Sequence, residues 1–238
     1  DTLGTFTRDI PRAGSQLEAV RKKARLALEL SGRRLGLASE GAFTPGPFGL
    51  GSLNLELVLL IDAEWGVEIL GQAYAAGHHS QAVVENRAAL EALAHASGFP
   101  AHGLVLRPDG EQGAAIRKGL RTWGALAQAF TAAQAESPTG AVILESDLRA
   151  HMHPTRMRTI AAAVRDLLER MCSRCGACDA PGFGVVSKVR GLPCADCGDP
   201  TEVPRADEWG CVACAHREIR DLMERAAADP AQCNGCNP

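Results

Sequence analysis

All nine cysteines of this 238-residue chain lie after residue 171, and eight of them form four Cys-x-x-Cys pairs. The pairs are Cys175/Cys178 in "CGAC", Cys194/Cys197 in "CADC", Cys211/Cys214 in "CVAC" and Cys233/Cys236 in "CNGC". Two thiolates three residues apart on a tight turn can point at one ion, and a second pair completes the tetrahedron that Zn²⁺ accepts. Eight thiols therefore make two structural Zn²⁺ sites. A disulfide framework would need an oxidising compartment, and a redox role would explain one pair but not four. Gaps of 15, 13 and 18 residues separate successive pairs. Sequential pairing, first with second and third with fourth, is the expectation, and an interleaved cross-brace fits the same gaps. The tail has few large apolar residues, so metal would supply much of its folding energy, on the order of 10 kcal/mol per ion. Sites filled by four cysteines leave no open position for water, which makes them structural and moves any chemistry to residues 1 to 171. Cys172 reads as the last turn of the preceding helix and His216 as a surface residue.

The rest of the composition narrows the class. Nothing approaches a membrane-spanning apolar run, and the first 20 residues lack the pattern of a signal peptide, so a cytoplasmic location without a membrane is expected. Residues 1 to 171 carry 18 basic and 18 acidic side chains, and residues 172 to 238 carry 7 and 10. Neither part has the basic excess that drives phosphate-backbone binding, so nucleic acid is a disfavoured partner. The chain starts at Asp1 without an initiator Met, and a further strand upstream of Asp1 is expected. The division read from these features is an α/β domain over 1–171 and a cysteine-rich zinc-ribbon domain over 172–238.

Periodicity orders the first part. A capping box of Ser15 and Glu18 opens a helix from Ser15 to Ser31, and Gly32 ends it. "RRLGLAS" reads as a strand, followed by a Gly/Pro-rich loop over 40–52. "LNLELVLLID" and "GVEILGQAY" read as a hairpin. "SQAVVENRAALEALAHASG" and "GLRTWGALAQAFTAAQA" read as helices, with "HGLVLRP" and "GAVILES" as strands. "HPTRMRTIAAAVRDLLERM" closes the domain as a helix with Pro154 at its start. Strands alternating with helices, interrupted by one hairpin, predict an α/β fold with a mixed sheet flanked by helices.

Two constellations carry candidate chemistry. Glu18 at a helix start and Glu40 just past a strand end come from different elements, as in sites built at a sheet edge. Paired carboxylates of that kind hold Mg²⁺, which bridges to substrate phosphates. The plainer alternatives are a capping role for Glu18 and a loop acid at Glu40. "ESDLRAHMHPTRM" places Asp147, Arg149, His151, His153 and Arg156 between a strand end and a helix start, where backbone N–H groups favour phosphate or carboxylate ligands. Here the alternatives are His153 as a helix cap, an Asp147–Arg149 surface ion pair and His151 as a core residue. Lys118 precedes a helix and can reach a phosphate from there.

The run Glu18-x-x-x-x-Lys23-Ala24 on a helix, followed by a strand ending in Ser39 and Glu40, resembles the inosine triphosphate pyrophosphatase and Maf superfamily. The following hairpin is similar to theirs, and Thr155 and Arg156 stand where their closing helix carries His and Arg. Their Ser/Thr-x-Asn-x-x-Lys loop has no counterpart here, and their acid pair is usually two adjacent aspartates. The resemblance implies that Glu18 and Glu40 bind Mg²⁺, that Lys23, Lys118 and Arg156 contact phosphates, and that a metal-activated water attacks a nucleotide phosphorus. "GLASEGAF", "DLRAHMHPTRM" and the four-pair tail together also resemble a bacterial family of unknown function. Two functional classes follow. One is a Mg²⁺-dependent nucleotide phosphohydrolase with a zinc-ribbon tail. The other is a non-enzymatic protein that binds a nucleotide or another anion and docks a protein partner through the tail.

Overall fold

A computed structural model describes residues 14–46, 51–110, 115–222 and 226–237. Helix α1 (Gln16–Ser31) begins where the capping box predicts: Ser15 and Glu18 bond reciprocally, and Gly32 closes the helix in the left-handed region at φ 61°. Strand β1 (Leu35–Pro45) does not stop before Glu40 but runs through it, antiparallel to β2 (Ser52–Asp62). The loop expected over 40–52 thus shrinks at its start, and residues 47–50 of it lie outside the described residues. Strand β3 (Val67–Ala76) completes the hairpin and the sheet order β1-β2-β3.

Alternation along β2 explains how this sheet is covered on both faces. Leu57 and Leu59 pack with Val20 and Ala24 of α1, while Val58 and Leu60 pack with Ala163 and Leu167 of helix α4 (Pro154–Cys172). Successive strand side chains point to opposite faces, so one apolar strand serves two helices. Close approach of α4 depends on Gly71, where an added methyl would lie 2.3 Å from the Ala163 carbonyl oxygen.

The second sheet departs from the expected mixed arrangement. Strand β4 (Gln81–Val84) precedes α2 (Arg87–Ala96), β5 (Leu104–Pro108) and β6 (Arg117–Leu120) precede α3 (Trp123–Glu136), and β7 (Val142–Ser146) follows. The order is β4-β7-β5-β6, and every neighbouring pair is antiparallel. β4 and β5 run parallel to each other, as the intervening α2 requires, but β7 is inserted between them. The α/β class read from alternating strands and helices holds, but the sheets are small and antiparallel. Gln81–Val84 and the Gly119–Leu120 half of β6, expected within helices, belong to short strands, because the helices start only at the side-chain caps Asn86 and Thr122. Leu90, Ala94, Leu126, Phe130 and Ala133 bury the helices against Leu104, Leu106, Val142 and Leu144. Three small antiparallel sheets, with no parallel pair among the named strands, give the resemblance to the pyrophosphatase and Maf superfamily no support.

The third sheet, β8 (Gly184–Arg190), β9 (Pro204–Gly210) and β10 (Arg217–Asp221), is an antiparallel meander in the order β10-β9-β8. Its base is joined to α4: Gly182 N–H donates to the Arg170 carbonyl at 3.0 Å, and Arg170 bonds both Asp166 and the Val185 carbonyl.

At the N-terminal end of α4 a charge pair lies inside the protein. Arg156 Nε donates to Glu56 Oε1 at 2.6 Å and Nη2 to Oε2 at 3.0 Å, with the Glu56 side chain fully buried and that of Arg156 5% exposed. Asn54 Nδ2 donates to the same carboxylate at 2.9 Å, and Arg156 Nη1 to the Leu148 carbonyl. Gly41 lies opposite Glu56 in the ladder, and a methyl there would sit 2.2 Å from Arg156 Nη2 and 2.5 Å from Glu56 Oε2. Removing one partner of a buried pair strands the other charge. Arg156→Met should therefore destabilise the protein by about 3–5 kcal/mol, and Gly41→Ala should also be strongly destabilising; both are read as denaturant midpoints.

Candidate metal centres and a polar junction

The eight paired cysteines gather into two groups, Cys175, Cys178, Cys211, Cys214 and Cys194, Cys197, Cys233, Cys236, with all sulfur atoms of a group within 4.8 Å of one another. The first pair thus joins the third and the second joins the fourth, an interleaved cross-brace in place of the sequential order expected. The meander explains this. The first group forms where the chain enters β8 and where β9 turns into β10; the second forms at the β8–β9 turn and beyond β10. Each group therefore clasps one end of the sheet, which sequential pairing would not do.

Within the groups Cys175 and Cys214 sulfurs are 3.8 Å apart, Cys178 and Cys211 3.6 Å, Cys194 and Cys236 3.8 Å, and Cys197 and Cys233 3.6 Å. A tetrahedron with Zn–S bonds of about 2.3 Å has edges of about 3.8 Å, whereas a disulfide would bring sulfurs to about 2 Å. All nine cysteines are free thiols, Cys172 being exposed at the end of α4. An all-sulfur set of four suits Zn²⁺, which would tie the two chain segments together in each group. The sulfurs of each group shift one another in opposite directions: neighbouring thiols push Cys178 and Cys236 up to about 12, while Cys211 and Cys194 are lowered. Burial opposes ionisation of Cys211, but the N–H groups of Ala213 and Cys214 prevail and bring its thiol down to about 7. The N–H groups of Cys197 and Asp196 bring Cys194 to about 7 as well.

The carboxylates expected to hold Mg²⁺ are engaged within the chain. Glu18 is exposed, and its Oε2 accepts the Ser15 N–H at 2.7 Å and the Ser15 hydroxyl at 2.9 Å. Glu40 is buried in mid-strand on the face toward α1, and Lys23 Nζ donates to its Oε2 at 2.7 Å. Ser39 is exposed on the opposite face of β1 from Glu40, as neighbouring strand residues must be. Among the described residues, the only groups of three or more metal-capable side chains are the two cysteine sets.

The 145–157 stretch is brought together only in part. Asp147 is fully buried and bonded by Arg149 at 2.6 Å and 2.9 Å, with the Gly119 N–H at 3.0 Å. Burial raises the proton affinity of Asp147, but Arg149 and the N–H donors outweigh it and hold the carboxyl below its ordinary value. Lys118 precedes Gly119 on β6 and is exposed, and the exposed His151 sits in the 3₁₀ turn Ala150–Met152 that follows Arg149. Arg156 is drawn inward to Glu56, away from any surface phosphate.

Glu56 and a histidine cluster were not singled out from the sequence, although an acid in the centre of "LNLELVLLID" demands a buried partner. His153 caps α4: its Nδ1 accepts the Arg156 N–H at 3.2 Å, and its Nε2–H donates to the His78 carbonyl at 2.7 Å. Both nitrogens are used, which requires the neutral imidazole. His102 packs against His153 at 4.7 Å and against His78 at 4.8 Å, and bonds Thr155. These rings join β3–β4, the 98–103 loop and α4. Burial, against the His78 carbonyl bond, brings His153 from 6.5 to about 4.

A His whose folded value is depressed contributes nothing to pH dependence above its unfolded value and costs stability below it. The His153 contribution should be flat above pH 7 and stability should fall between about 6.5 and 4, by about 3 kcal/mol for this residue. Acid also strips metal from thiolates. The comparison that isolates the ring is His153→Asn, which keeps a helix cap without the titration and should flatten the loss in urea titrations. Zinc content is a separate expectation: elemental analysis should find two ions per chain, and one or none would defeat the two-centre assignment.

No helix among the described residues is long and apolar enough to cross a membrane. No curated protein and no solved structure matches the chain. The profile of a domain of unknown function, DUF6671, matches residues 23–238, which takes in Glu40, the buried Glu56–Arg156 pair and all eight paired cysteines. A match over that span places the chain in the DUF6671 family.

Proposed function

We propose that this is a non-enzymatic zinc protein that binds an anionic ligand and is held in shape by two structural Zn²⁺ ions. One observation carries this reading: the acids that metal-assisted phosphate chemistry would need are already matched to cations of the same chain. Lys23 bonds Glu40, Arg156 bonds Glu56 and Arg149 bonds Asp147. A carboxylate that must hold Mg²⁺ has to be released from its partner first, and for the buried Glu40 that would mean breaking its bond to Lys23. The cysteine sets, being complete with four ligands, have no open position for an attacking water.

In this reading Lys118 and Arg149, with His151, form the lip on which phosphate or carboxylate would rest, and Asp147 orients Arg149 from beneath. The tail serves as the docking module. Its 7 basic and 10 acidic residues, with each four-thiolate zinc centre adding two negative charges, favour a cationic partner surface.

The zinc-loaded protein, incubated with Mg²⁺ and each nucleoside triphosphate, should release neither phosphate nor pyrophosphate above the blank. Inorganic phosphate should bind weakly by calorimetry, and Lys118→Met should weaken it by about fivefold to tenfold, the worth of one charge-assisted contact. Hydrolysis that Glu40→Gln abolishes would overturn the proposal in favour of a phosphohydrolase.

A further inference from the structure

The two cysteine groups are chemically alike but differ in their surroundings. In the first, Cys175 and Cys211 are buried, Cys214 is half-buried and only Cys178 is exposed. Cys175 and Cys211 belong to a hydrophobic cluster with Ala180 and Phe183, against which Trp209 and Cys214 pack. His216 stacks on Phe183 at 5.6 Å, and the Arg220 guanidinium lies 4.1 Å over Trp209. This end is also fixed to the body: a methyl at Gly182 would lie 2.9 Å from Val212 and 3.0 Å from Ile69 of β3, so the third pair's turn, the chain after the first pair and the first sheet meet there. Arg170 of α4 adds its bonds at the same place.

In the second group Cys197 and Cys236 are both exposed, and no hydrophobic cluster among the described residues contains any of the four cysteines. Its segments are joined by a few backbone bonds: Ala195 N–H to the Ala228 carbonyl at 2.9 Å, Ala228 N–H to the Pro193 carbonyl at 2.7 Å, and Cys194 N–H to the Asp199 carbonyl at 2.8 Å. The last pair is held by a three-residue 3₁₀ turn, Pro230–Gln232, and by Asn237, which bonds back to Cys233 and Ala231.

We propose that the two centres are unequal. The first is a permanent fastening between the tail and α4, and the second is an exchangeable zinc site, so the far end of the meander folds and unfolds with the supply of free zinc. The physical basis is local opening. A competing chelator attacks a zinc–thiolate centre through exposed sulfur and through transient loosening of the ligand loops. Both are greatest where apolar burial is least. Loss of the second ion leaves β8 and β9 anchored at their body-side end, while residues 191–203 and 226–237 lose the link between them. The proposal rests on the assignment of Zn²⁺ to both groups, and the experiment separates the two.

Full-length protein is first counted for zinc, and a count below two defeats the metal assignment and this proposal with it. Protein carrying two ions is then mixed with the chromogenic chelator pyridylazoresorcinol. Release should be biphasic, the first ion leaving at least about tenfold faster, which corresponds to a difference in opening free energy of about 1.4 kcal/mol. After one equivalent has left, hydrogen exchange should show lost protection over 191–203 and 226–237 and retained protection over 174–185 and 209–216. Cys233→Ser combined with Cys236→Ser should bind one zinc and keep protection at the first centre. Single-phase release, earlier exposure of 174–185, or failure of the double variant to bind any zinc would each overturn the inequality.

Discussion

The pairing of Arg156 with Glu56 is the interaction on which the rest of the body depends. Two full charges lie where water does not reach, and only a bidentate geometry with further donors makes that tolerable. That geometry dictates its neighbours. Position 41 has to lack a side chain, Asn54 has to face the same carboxylate, and the backbone at Leu148 has to turn its carbonyl toward Nη1. The first turn of α4 is thereby placed on β2, and the apolar stripe of Ala163 and Leu167 continues the contact along the helix. At the other end Arg170 hands the same helix on to the cysteine-rich tail. One helix, positioned by charge at its start and by packing along its length, thus relates the sheets to one another.

Local signals in the sequence were reliable where a residue acts on its own backbone. Ser15 with Glu18, Gly32, Pro154 and the four cysteine pairs each state their role within a few residues, and the structure places the helix ends accordingly and keeps each Cys-x-x-Cys pair whole within one set, though not the order in which pairs combine. They misled where a residue acts on something distant. Glu40 and Gly41 look like the start of a loop, yet the acid serves Lys23, 17 residues earlier, and the glycine makes room for Arg156, far later in the chain. The apolar residues of Gln81–Val84 satisfy either period, so local pattern alone extends the helix over them, and only their pairing with β7 makes them a strand. The helix-cap role of His153 is legible beside Pro154, but its packing with His78 and His102 is not, since the three rings come from separate elements.

The contrast between sulfur and oxygen ligands bears on the candidate sites as well. Thiolates have few competing partners inside a protein, so four converging cysteines report a metal almost unaided. Carboxylates bond readily to lysine, arginine and backbone N–H groups, and each acid singled out here has such a partner. The same residues therefore look catalytic in sequence and structural in space.

Interleaved pairing has a further consequence for how the tail reaches its folded form. Sequential pairing would close loops of roughly half the length that the native pairing closes, and halving a loop favours closure by about 0.6 kcal/mol. In the unfolded chain, then, zinc has a small preference for the wrong partners, and eight chemically equivalent sulfurs offer nothing to oppose it. Discrimination has to come from the meander, whose strand pairing carries the first pair to the third and the second to the fourth. The metal stabilises a topology that it cannot itself select.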